Sequence, residues 1–245
     1  MGNVVIQKQE KRDVAFAVFS NLFALLTSVL LGFVVPKYLS VDSYSLYKTF
    51  ALYSGFVGFF HFGFINGIYL KYGDLSFEQL PKSRFASFSF LLFVSQLIVQ
   101  CVLFIALFAI KGSEIFVSPY FYVIVNIFFI NSNSYFMHVN QFTKRFKIDA
   151  LILLLQNVVL LFGTGSLLLF RVDNYIFYVA VVTFVNIFVF ISQIAYNNRI
   201  VFSKGDGIRD SIGEAKDRIK HGFFIMISEF MGILVVTIDS VIVNL

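Results

Sequence analysis

The sequence predicts an all-α integral membrane protein whose helices cross the bilayer several times and whose N-terminus lies in the cytoplasm. Three observations predict this fold class. Apolar residue types make up 58% of the 245 residues and charged types only 13%, which is about half the charged share of a soluble domain. Six long stretches contain no Asp, Glu, Lys or Arg. Lys and Arg also concentrate in alternate connecting segments, as they do between membrane helices.

A membrane-spanning helix needs about 20 predominantly apolar residues, and each charge-free stretch reaches or exceeds that length. The first stretch is too long for the apolar region of a signal peptide. A seventh apolar stretch contains two acids, Glu229 and Asp239, and runs to the last residue. The predicted spans are 14–36, 49–70, 85–110, 115–143, 150–170, 174–198 and 222–245.

These spans divide the chain into three expected parts. Residues 1–198 form a six-helix N-terminal lobe, residues 199–221 a polar connector, and residues 222–245 the first helix of an incomplete C-terminal lobe. No polar or aromatic anchor follows the seventh span, and a charged C-terminus inside the bilayer is costly. We therefore expect the chain to be the N-terminal fragment of a longer protein.

The distribution of basic residues orients the chain. Of the 19 Lys and Arg, 15 fall in alternate segments that begin with the N-terminal tail, and four fall in the intervening segments. The side rich in Lys and Arg faces the cytoplasm. Topology therefore accounts for the net charge of +5, and the sequence predicts no nucleic-acid partner.

The connector 199–221 has the pattern of an amphipathic helix. Ile208, Ile212, Ala215 and Ile219 fall on one helical face, so we expect a helix that lies on the cytoplasmic leaflet. Two interpretations stay open. The helix either joins two bundles of a transporter or is an ordinary interfacial helix.

Uncharged polar residues recur along one face of four spans. A spacing of seven residues returns nearly to the same face of a helix, and amides that faced lipid would lack partners. These faces should therefore point into the bundle. Their side chains either form hydrogen bonds between helices or line a hydrated cavity, and the presence of stripes on four helices favours the cavity. The stripes are Asn21 and Ser28, then Gln96 and Gln100, then Asn126, Asn133 and Asn140, then Asn186 and Gln193.

The second span surrounds a histidine with glycines. His61 lies near the middle of a segment that includes Gly63 and Gly67, and this spacing permits close helix packing. A local break in the helix at the same place is the alternative, and His61 is expected to be neutral and hydrogen-bonded. His61 and Asn66 are candidates for the cavity lining, as is Asp239, for which the sequence identifies no partner.

The sequence carries no recognisable catalytic motif. It has no phosphate-binding glycine loop, no HExxH and no nucleophile–base pair at known spacing. The connecting segments are too short to fold as a catalytic domain. We therefore predict neither an enzyme nor a cofactor or metal site.

Several short stretches carry a resemblance to a known family. They read VVPKYLS at 34–40, YSLY at 44–47, FGFING at 62–67, YLKYG at 69–73, and KHGF at 220–223 followed by DSVI at 239–242. Together with the topology they resemble the Wzx-type polysaccharide flippases of the multidrug/oligosaccharidyl-lipid/polysaccharide exporter superfamily. The sequence departs from the family pattern at Ser45, where Gly is common, and at Phe224, where Pro is common.

The resemblance implies a MATE-like architecture of two six-helix lobes around a central cavity in the bacterial cytoplasmic (inner) membrane. It implies an undecaprenyl-pyrophosphate-linked oligosaccharide as the substrate, an O-antigen, capsule or exopolysaccharide unit moved by alternating access. The polysaccharide polymerase and chain-length proteins are then expected partners, besides the bilayer. The pyrophosphate needs cations, and the candidates at the ends of the spans are Lys71, Arg84, Lys144, Arg145 and Arg199.

Two other classes of protein remain as alternatives. A cation- or proton-coupled multidrug exporter of the same fold would be expected to carry an acid in its first helix, and residues 14–36 contain none. A non-transporting membrane scaffold would not need a polar interior, so the stripes argue against it.

Overall fold

The part of the chain that the structure describes consists of helices joined by short turns and loops, without β-strands. The computed structural model describes the backbone of residues 2–243, and the side chains of 12–207, 209–235, 237 and 238. Short 3₁₀ segments cover Val35–Lys37, Val57–His61 and Gly112–Val117. The helices are α1 Gly2–Val34, α2 Val41–Gly55, α3 Phe64–Tyr72, α4 Lys82–Lys111, α5 Pro119–Phe142, α6 Phe146–Leu169, α7 Tyr175–Tyr196, α8 Asn198–Val201 and α9 Ile208–Val243.

Four segments are long and apolar enough to cross a membrane, namely Arg12–Lys37, Lys82–Val117, Phe146–Leu169 and Tyr175–Tyr196. A fifth is added if Val41–His61 and Phe64–Tyr72 count as one bent span. The expectation of a helical membrane protein is thus supported. The predicted fourth and seventh spans, which fall in α5 and α9, are not in this set, so the count of seven spans stays a prediction.

The bundle is organised around α5. This helix packs against α2, α3, α4, α6 and α7, while α1 packs on α6 and α9 packs mainly on α3. Large apolar side chains cover the outside of the bundle, such as Phe33 at 72% exposure and Ile110 at 78%. An exterior this apolar fits hydrocarbon as the solvent. Several polar side chains of α5 are instead fully buried, namely those of Asn126, Asn131, Ser132 and Asn140.

The predicted second span is broken rather than continuous. The helical path stops after α2, passes through the 3₁₀ turn Val57–His61, and resumes as α3 at an angle of 56°. Phe62 and Gly63 between them have φ values of 52° and 79°. The left-handed region is open to glycine but strained for Phe62.

Amides from neighbouring helices satisfy the carbonyl groups that this break frees. Asn131 Nδ2 of α5 donates to the carbonyl of Val57 at 3.1 Å and to Gln96 Oε1 of α4 at 2.8 Å. Gln96 Nε2 in turn donates to the carbonyl of Phe60 at 3.1 Å. Non-helical backbone at membrane depth requires such internal partners, so the break is a supported part of the fold.

Glycines bring α3 and α9 into backbone contact. A Cβ on Gly67 would overlap the carbonyl oxygen of Arg218, and one on Gly63 would lie 2.6 Å from the backbone nitrogen of Phe223. From the other side, a Cβ on Gly222 would overlap the carbonyl oxygen of Gly63. Close packing and a helix break, the two interpretations of the 63–67 stretch, are therefore both present.

The predicted connector and the seventh span form one helix. α9 is continuous from Ile208 to Val243 and passes the expected boundary at 221/222 without interruption. Ala215 and Ile219 of the predicted apolar face pack against the protein core, whereas Ile212 is 40% exposed. Part of this face therefore docks on protein rather than on the leaflet. The side chain of Ile208 lies outside the described ones.

Candidate functional site

A polar cavity of about 400 Å³ lies between α1, α5, α6 and α7. Its walls combine apolar residues with amides, a hydroxyl and one carboxylate. Of the residues predicted to line a cavity, four do so. The polar lining is Asn21, Asn133, Ser134, Gln141, Asp149, Gln156, Asn186 and Gln193.

Amides join α5 to α7 along one side of this cavity. Asn186 Nδ2 donates to Asn126 Oδ1 at 2.8 Å, and Asn126 Nδ2 donates to Thr183 Oγ1 at 2.8 Å. Asn133 Nδ2 donates to the carbonyl of Asn186 at 3.1 Å. Each residue thus bonds between helices, as the stripes predicted, while Asn133 and Asn186 also face the cavity. Hydrogen bonding and a cavity are here parts of one arrangement.

A second chain of hydrogen bonds runs along the end of the cavity that holds Asp149, the one carboxylate among its described lining residues. Asn140 Nδ2 donates to Asp149 Oδ1 at 2.8 Å and to Gln193 Oε1 at 3.1 Å. Asn197 Nδ2 donates to the same Gln193 oxygen at 3.3 Å, and Arg145 Nη1 donates to Asn197 Oδ1 at 3.0 Å. A cation at the end of the helices is thereby connected to a buried acid through amides alone.

Several oxygens of this network have no donor. Asp149 Oδ2, Asn133 Oδ1 and Asn140 Oδ1 are buried and make no hydrogen bond within the described chain. Buried polar atoms normally have a partner, from protein, water or a bound ion. Of these three residues, Asp149 and Asn133 line the cavity and Asn140 does not. The cavity therefore presents two unpartnered acceptors, one of them a carboxyl oxygen.

The stripe predicted on α1 falls one residue away from the buried face. Asn21 and Ser28 are both exposed, although Asn21 reaches the cavity rim and donates to the carbonyl of Ala17 at 2.8 Å. The buried polar residues of α1 are Ser20 and Thr27 instead. Both pairs have a spacing of seven, so periodicity could not distinguish which pair faces α6. Ser28 is not a cavity residue in this structure.

The two glutamines of α4 lie outside the cavity and bond to backbone. Gln96 supports the break between α2 and α3, as described above. Gln100 Nε2 donates to the carbonyls of Ile124 and Val125 in α5 at 2.9 and 3.0 Å. Both glutamines therefore fix α4 to its neighbours. Of the two interpretations of a polar stripe, hydrogen bonding between helices applies here.

His61 and Asn66 also lie away from the cavity. His61 is buried, and its Nδ1 accepts a hydrogen bond from the Gly63 N–H at 3.1 Å, which fits a neutral ring. Asn66 Nδ2 donates to Glu229 Oε1 at 2.9 Å, so Glu229 finds its partner on α3. The side chain of Asp239 lies outside the described residues.

Two of the predicted rim cations are already paired with carboxylates. Glu214 accepts from Lys71 at 2.5 Å, from the Tyr72 hydroxyl at 2.6 Å, and from Arg84. Arg84 also binds Asp206 at 2.5 Å. Burial raises the pKa of Glu214, but the hydrogen bonds from Lys71 and Tyr72 outweigh it and hold the pKa below its ordinary value. This cluster ties α9 and the preceding loop to α3 and α4.

The other three rim cations differ in their partners. Arg199 is paired with Glu78 at 3.5 Å. The Arg145 guanidinium stacks over the ring of Phe77, 4.0 Å from its centroid, and burial lowers its pKa. Lys144 is exposed. Among the described side chains, neither Lys144 nor Arg145 forms an ion pair, so they are the two candidates left to meet an anionic ligand.

A separate, apolar cavity of about 550 Å³ lies against the N-terminal half of α5. Its wall includes the rings of Phe56, Phe59, Phe60, Tyr120 and Phe230. The polar cavity contacts the later part of α5, from residue 130 to residue 141. The N-terminal half of α5 thus borders an apolar cavity, and its later part borders the polar cavity.

Sequence reasoning missed Asp149 and Asn131. Asp149 was assigned to the connection before the fifth span, but α6 begins at Phe146 and so includes it in the first turn. Its proximity to a span end was the available signal. Asn131 does not belong to the seven-residue repeat of its helix, and the need for it arises from a break in another helix.

Comparisons with protein families, with curated proteins and with solved structures find no match for this chain.

Proposed function

We propose that the chain is a flippase lobe that moves an undecaprenyl-pyrophosphate-linked oligosaccharide across the bacterial cytoplasmic membrane by alternating access. The observation that carries the proposal is the polar cavity between helices with apolar exteriors. A sugar chain needs many hydrogen-bonding partners, and lipid supplies none. A cavity lined by six amide side chains, a hydroxyl and a carboxylate meets that need, and non-transporting scaffolds do not require it.

The position of the free cations supports the same substrate class. Lys144 and Arg145 lie between α5 and α6, in a segment that charge counting assigns to the cytoplasm. A guanidinium that is half-buried, held by neutral acceptors and unpaired with any described carboxylate is suited to bind phosphate oxygens. The pyrophosphate would be held at this end, next to the polar cavity, while the isoprenoid chain stays in an apolar environment.

The proposal makes the protein a multi-pass component of a surface polysaccharide pathway, alongside the polymerase and the chain-length proteins. Deletion of the gene in its bacterial host should stop surface polysaccharide and make lipid-linked units accumulate on the inner leaflet. Complementation with Arg145→Ala should restore much less polysaccharide than complementation with Arg171→Ala, a matched change at an exposed arginine. Normal polysaccharide in a deletion strain without a related flippase would refute the proposal.

The position of Asp149 favours a second candidate function. A cation- or proton-coupled multidrug exporter was expected to carry an acid in its first helix, and the structure instead places an acid of α6 in a cavity that α1 helps to line. The same deletion strain distinguishes the two functions. Hypersensitivity to cationic drugs with normal polysaccharide would favour the exporter.

A further inference from the structure

We infer that the apolar cavity beside the N-terminal half of α5 binds one acyl chain of a bilayer phospholipid, which enters from the external leaflet. The inference does not depend on what the protein transports. It rests on three observations, which concern the chemistry of the cavity wall, the opening of the cavity towards lipid, and the charges beside that opening.

The wall of the cavity offers almost nothing to water. The fifteen described residues that line it are all aliphatic or aromatic, and the hydroxyls of two tyrosines are their only side-chain polar groups. Because a buried water needs several polar partners, an apolar cavity stays dry or takes up an apolar ligand. Unfilled volume destabilises a protein in proportion to its size, and this cavity measures about 550 Å³. The cavity therefore requires an apolar occupant.

The cavity is continuous with the surface that faces lipid. Ile110 and Ala106 of α4 belong to its wall and are also exposed on the outside of the helix. They lie in a segment that is long and apolar enough to cross a membrane, so hydrocarbon surrounds them. Phe230 and Leu234 of α9 belong to the same wall. A lipid chain that entered beside α4 would thus contact α9 as well as α2 and α5.

Charged groups beside the opening favour a phospholipid. α4 ends at Lys111, next to Ile110, and the distribution of basic residues assigns this end to the external side. Lys111 and Glu114 are both exposed, and neither forms an ion pair with another described side chain. They present the charges that complement the phosphate and the amine of a zwitterionic headgroup. Tyr120 of the wall, in the first turn of α5, is a residue type that is enriched at headgroup level.

The position of the opening also distinguishes two sources of a hydrocarbon chain. The proposed function holds the pyrophosphate of a lipid-linked substrate near Arg145, in a segment that charge counting assigns to the cytoplasm. The apolar cavity opens instead at the external end of α4. This position favours a phospholipid of the external leaflet over the isoprenoid chain of such a substrate.

Fluorescence quenching tests the site, because the chain contains no tryptophan and a single introduced one reports on its own surroundings. The full chain with Phe230→Trp is reconstituted into vesicles of phosphatidylethanolamine and phosphatidylglycerol with brominated acyl chains, which quench a tryptophan that they contact. It is then extracted into detergent. Phe33→Trp, a matched change at a lipid-facing position of α1, is treated in the same way.

Both variants should be quenched in vesicles, but only a bound lipid survives extraction. In detergent the tryptophan at position 230 should stay quenched by more than half, whereas fluorescence at position 33 should recover. Leu107→Trp, a second reporter in the wall, should behave like Phe230→Trp and guards against misfolding of that variant. Helicity and the gel-filtration profile check that each variant is folded.

Filling the cavity provides a second arm of the test. Ala106→Phe adds a ring to the wall at an exposed position and should abolish the quenching that position 230 retains in detergent. Ala109→Phe makes the same change at an exposed position of α4 outside the wall and should leave that quenching unchanged. Equal retention in both variants would show that the lipid lies elsewhere and would overturn the inference.

Two further outcomes would also overturn it. Equal recovery of fluorescence at positions 33, 107 and 230 in detergent would mean that only exchangeable lipid reaches the cavity. Relief of the retained quenching by added undecaprenyl phosphate, but not by unlabelled phosphatidylethanolamine, would assign the cavity to an isoprenoid chain. None of these results bears on polysaccharide export, which the deletion strain tests separately.

Discussion

One added methyl group at Gly67 should loosen the crossing of α3 and α9. A Cβ at this position would overlap the carbonyl oxygen of Arg218 and lie 2.9 Å from its Cα. These are backbone atoms, so no change of rotamer relieves the overlap and the two helices must move apart. Gly222→Ala, which meets the backbone of Gly63 and Gly67 from the other side, should have the same effect.

The expected magnitude follows from two opposing terms. Alanine is favoured over glycine inside a helix by about 1 kcal/mol, which stabilises the variant. Overpacking at a tight contact costs about 1–3 kcal/mol, and overlap with rigid backbone belongs at the upper end. The net loss for Gly67→Ala should be about 2 kcal/mol, or a melting temperature lower by about 4–8 °C for a chain of this length. Gly213→Ala on α9 has open space around it and should gain up to about 1 kcal/mol instead.

Two measurements on the detergent-purified protein check this prediction. Thermal unfolding followed by near-ultraviolet circular dichroism of the tyrosines reports the loss of stability. Amide hydrogen exchange over residues 209–235 reports whether α9 has detached, because undocked helix exchanges faster. A Gly67→Ala variant as stable and as protected as Gly213→Ala would show that α3 and α9 do not pack through their glycines.

Three further predictions address the cytoplasmic cluster, the helix break and the topology. Glu214→Gln should cost about 1–3 kcal/mol, because the amide keeps one acceptor oxygen but loses the charge and the second acceptor that pair with Lys71 and Arg84. In the wild type the folded pKa of Glu214 lies below the ordinary 4.5. Its contribution should be complete above that value and disappear as pH falls through the folded pKa; melting curves between pH 3 and 7 should lose this component in the variant. Asn131→Ala should cost about 1–3 kcal/mol and raise hydrogen exchange around Val57, and unchanged exchange there would contradict the role given to Asn131. Reporter fusions should read as external after residues 42, 112 and 173 and as cytoplasmic after 78, 146 and 210; an external signal at 146 would contradict the predicted span count.

Helix positions were largely predictable because charge and length constrain them strongly. The charge-free stretch 85–110 lies within α4. The stretches 150–170 and 174–198 match α6 and α7 to within a few residues at each end. The break after α2 was harder to predict. Glycines near His61 permitted both a close contact and a break, and the choice depends on partners from α4, α5 and α9 that lie far away in the sequence.

The candidate site was predictable only in part. Asn133, Asn186 and Gln193 were identified because a repeat of seven and the exclusion of amides from lipid both point inward. Ser28 shows the limit of this argument, because Ser20 and Thr27 share its spacing and the packing of α1 on α6 selects between the pairs. Which of the candidate rim cations are free to bind a ligand also depends on their ion pairs. The sequence does not reveal that the carboxylate of Glu214 binds Lys71 and Arg84.

The amides of α5 explain why its sequence is the least membrane-like of the long helices that follow α1 in the predicted lobe, although it lies at the centre. The amide nitrogens of its asparagines bond to neighbouring segments, at Thr183 for Asn126 and at the Asn186 carbonyl for Asn133. The oxygens divide into two kinds. That of Asn126 accepts from Asn186, while that of Asn133 stays open beside the cavity. The same residue type thus fixes the helix through its donor and, at Asn133, presents an unpartnered acceptor to the cavity. The low apolarity of α5 therefore follows from the way its amides pack between the other helices.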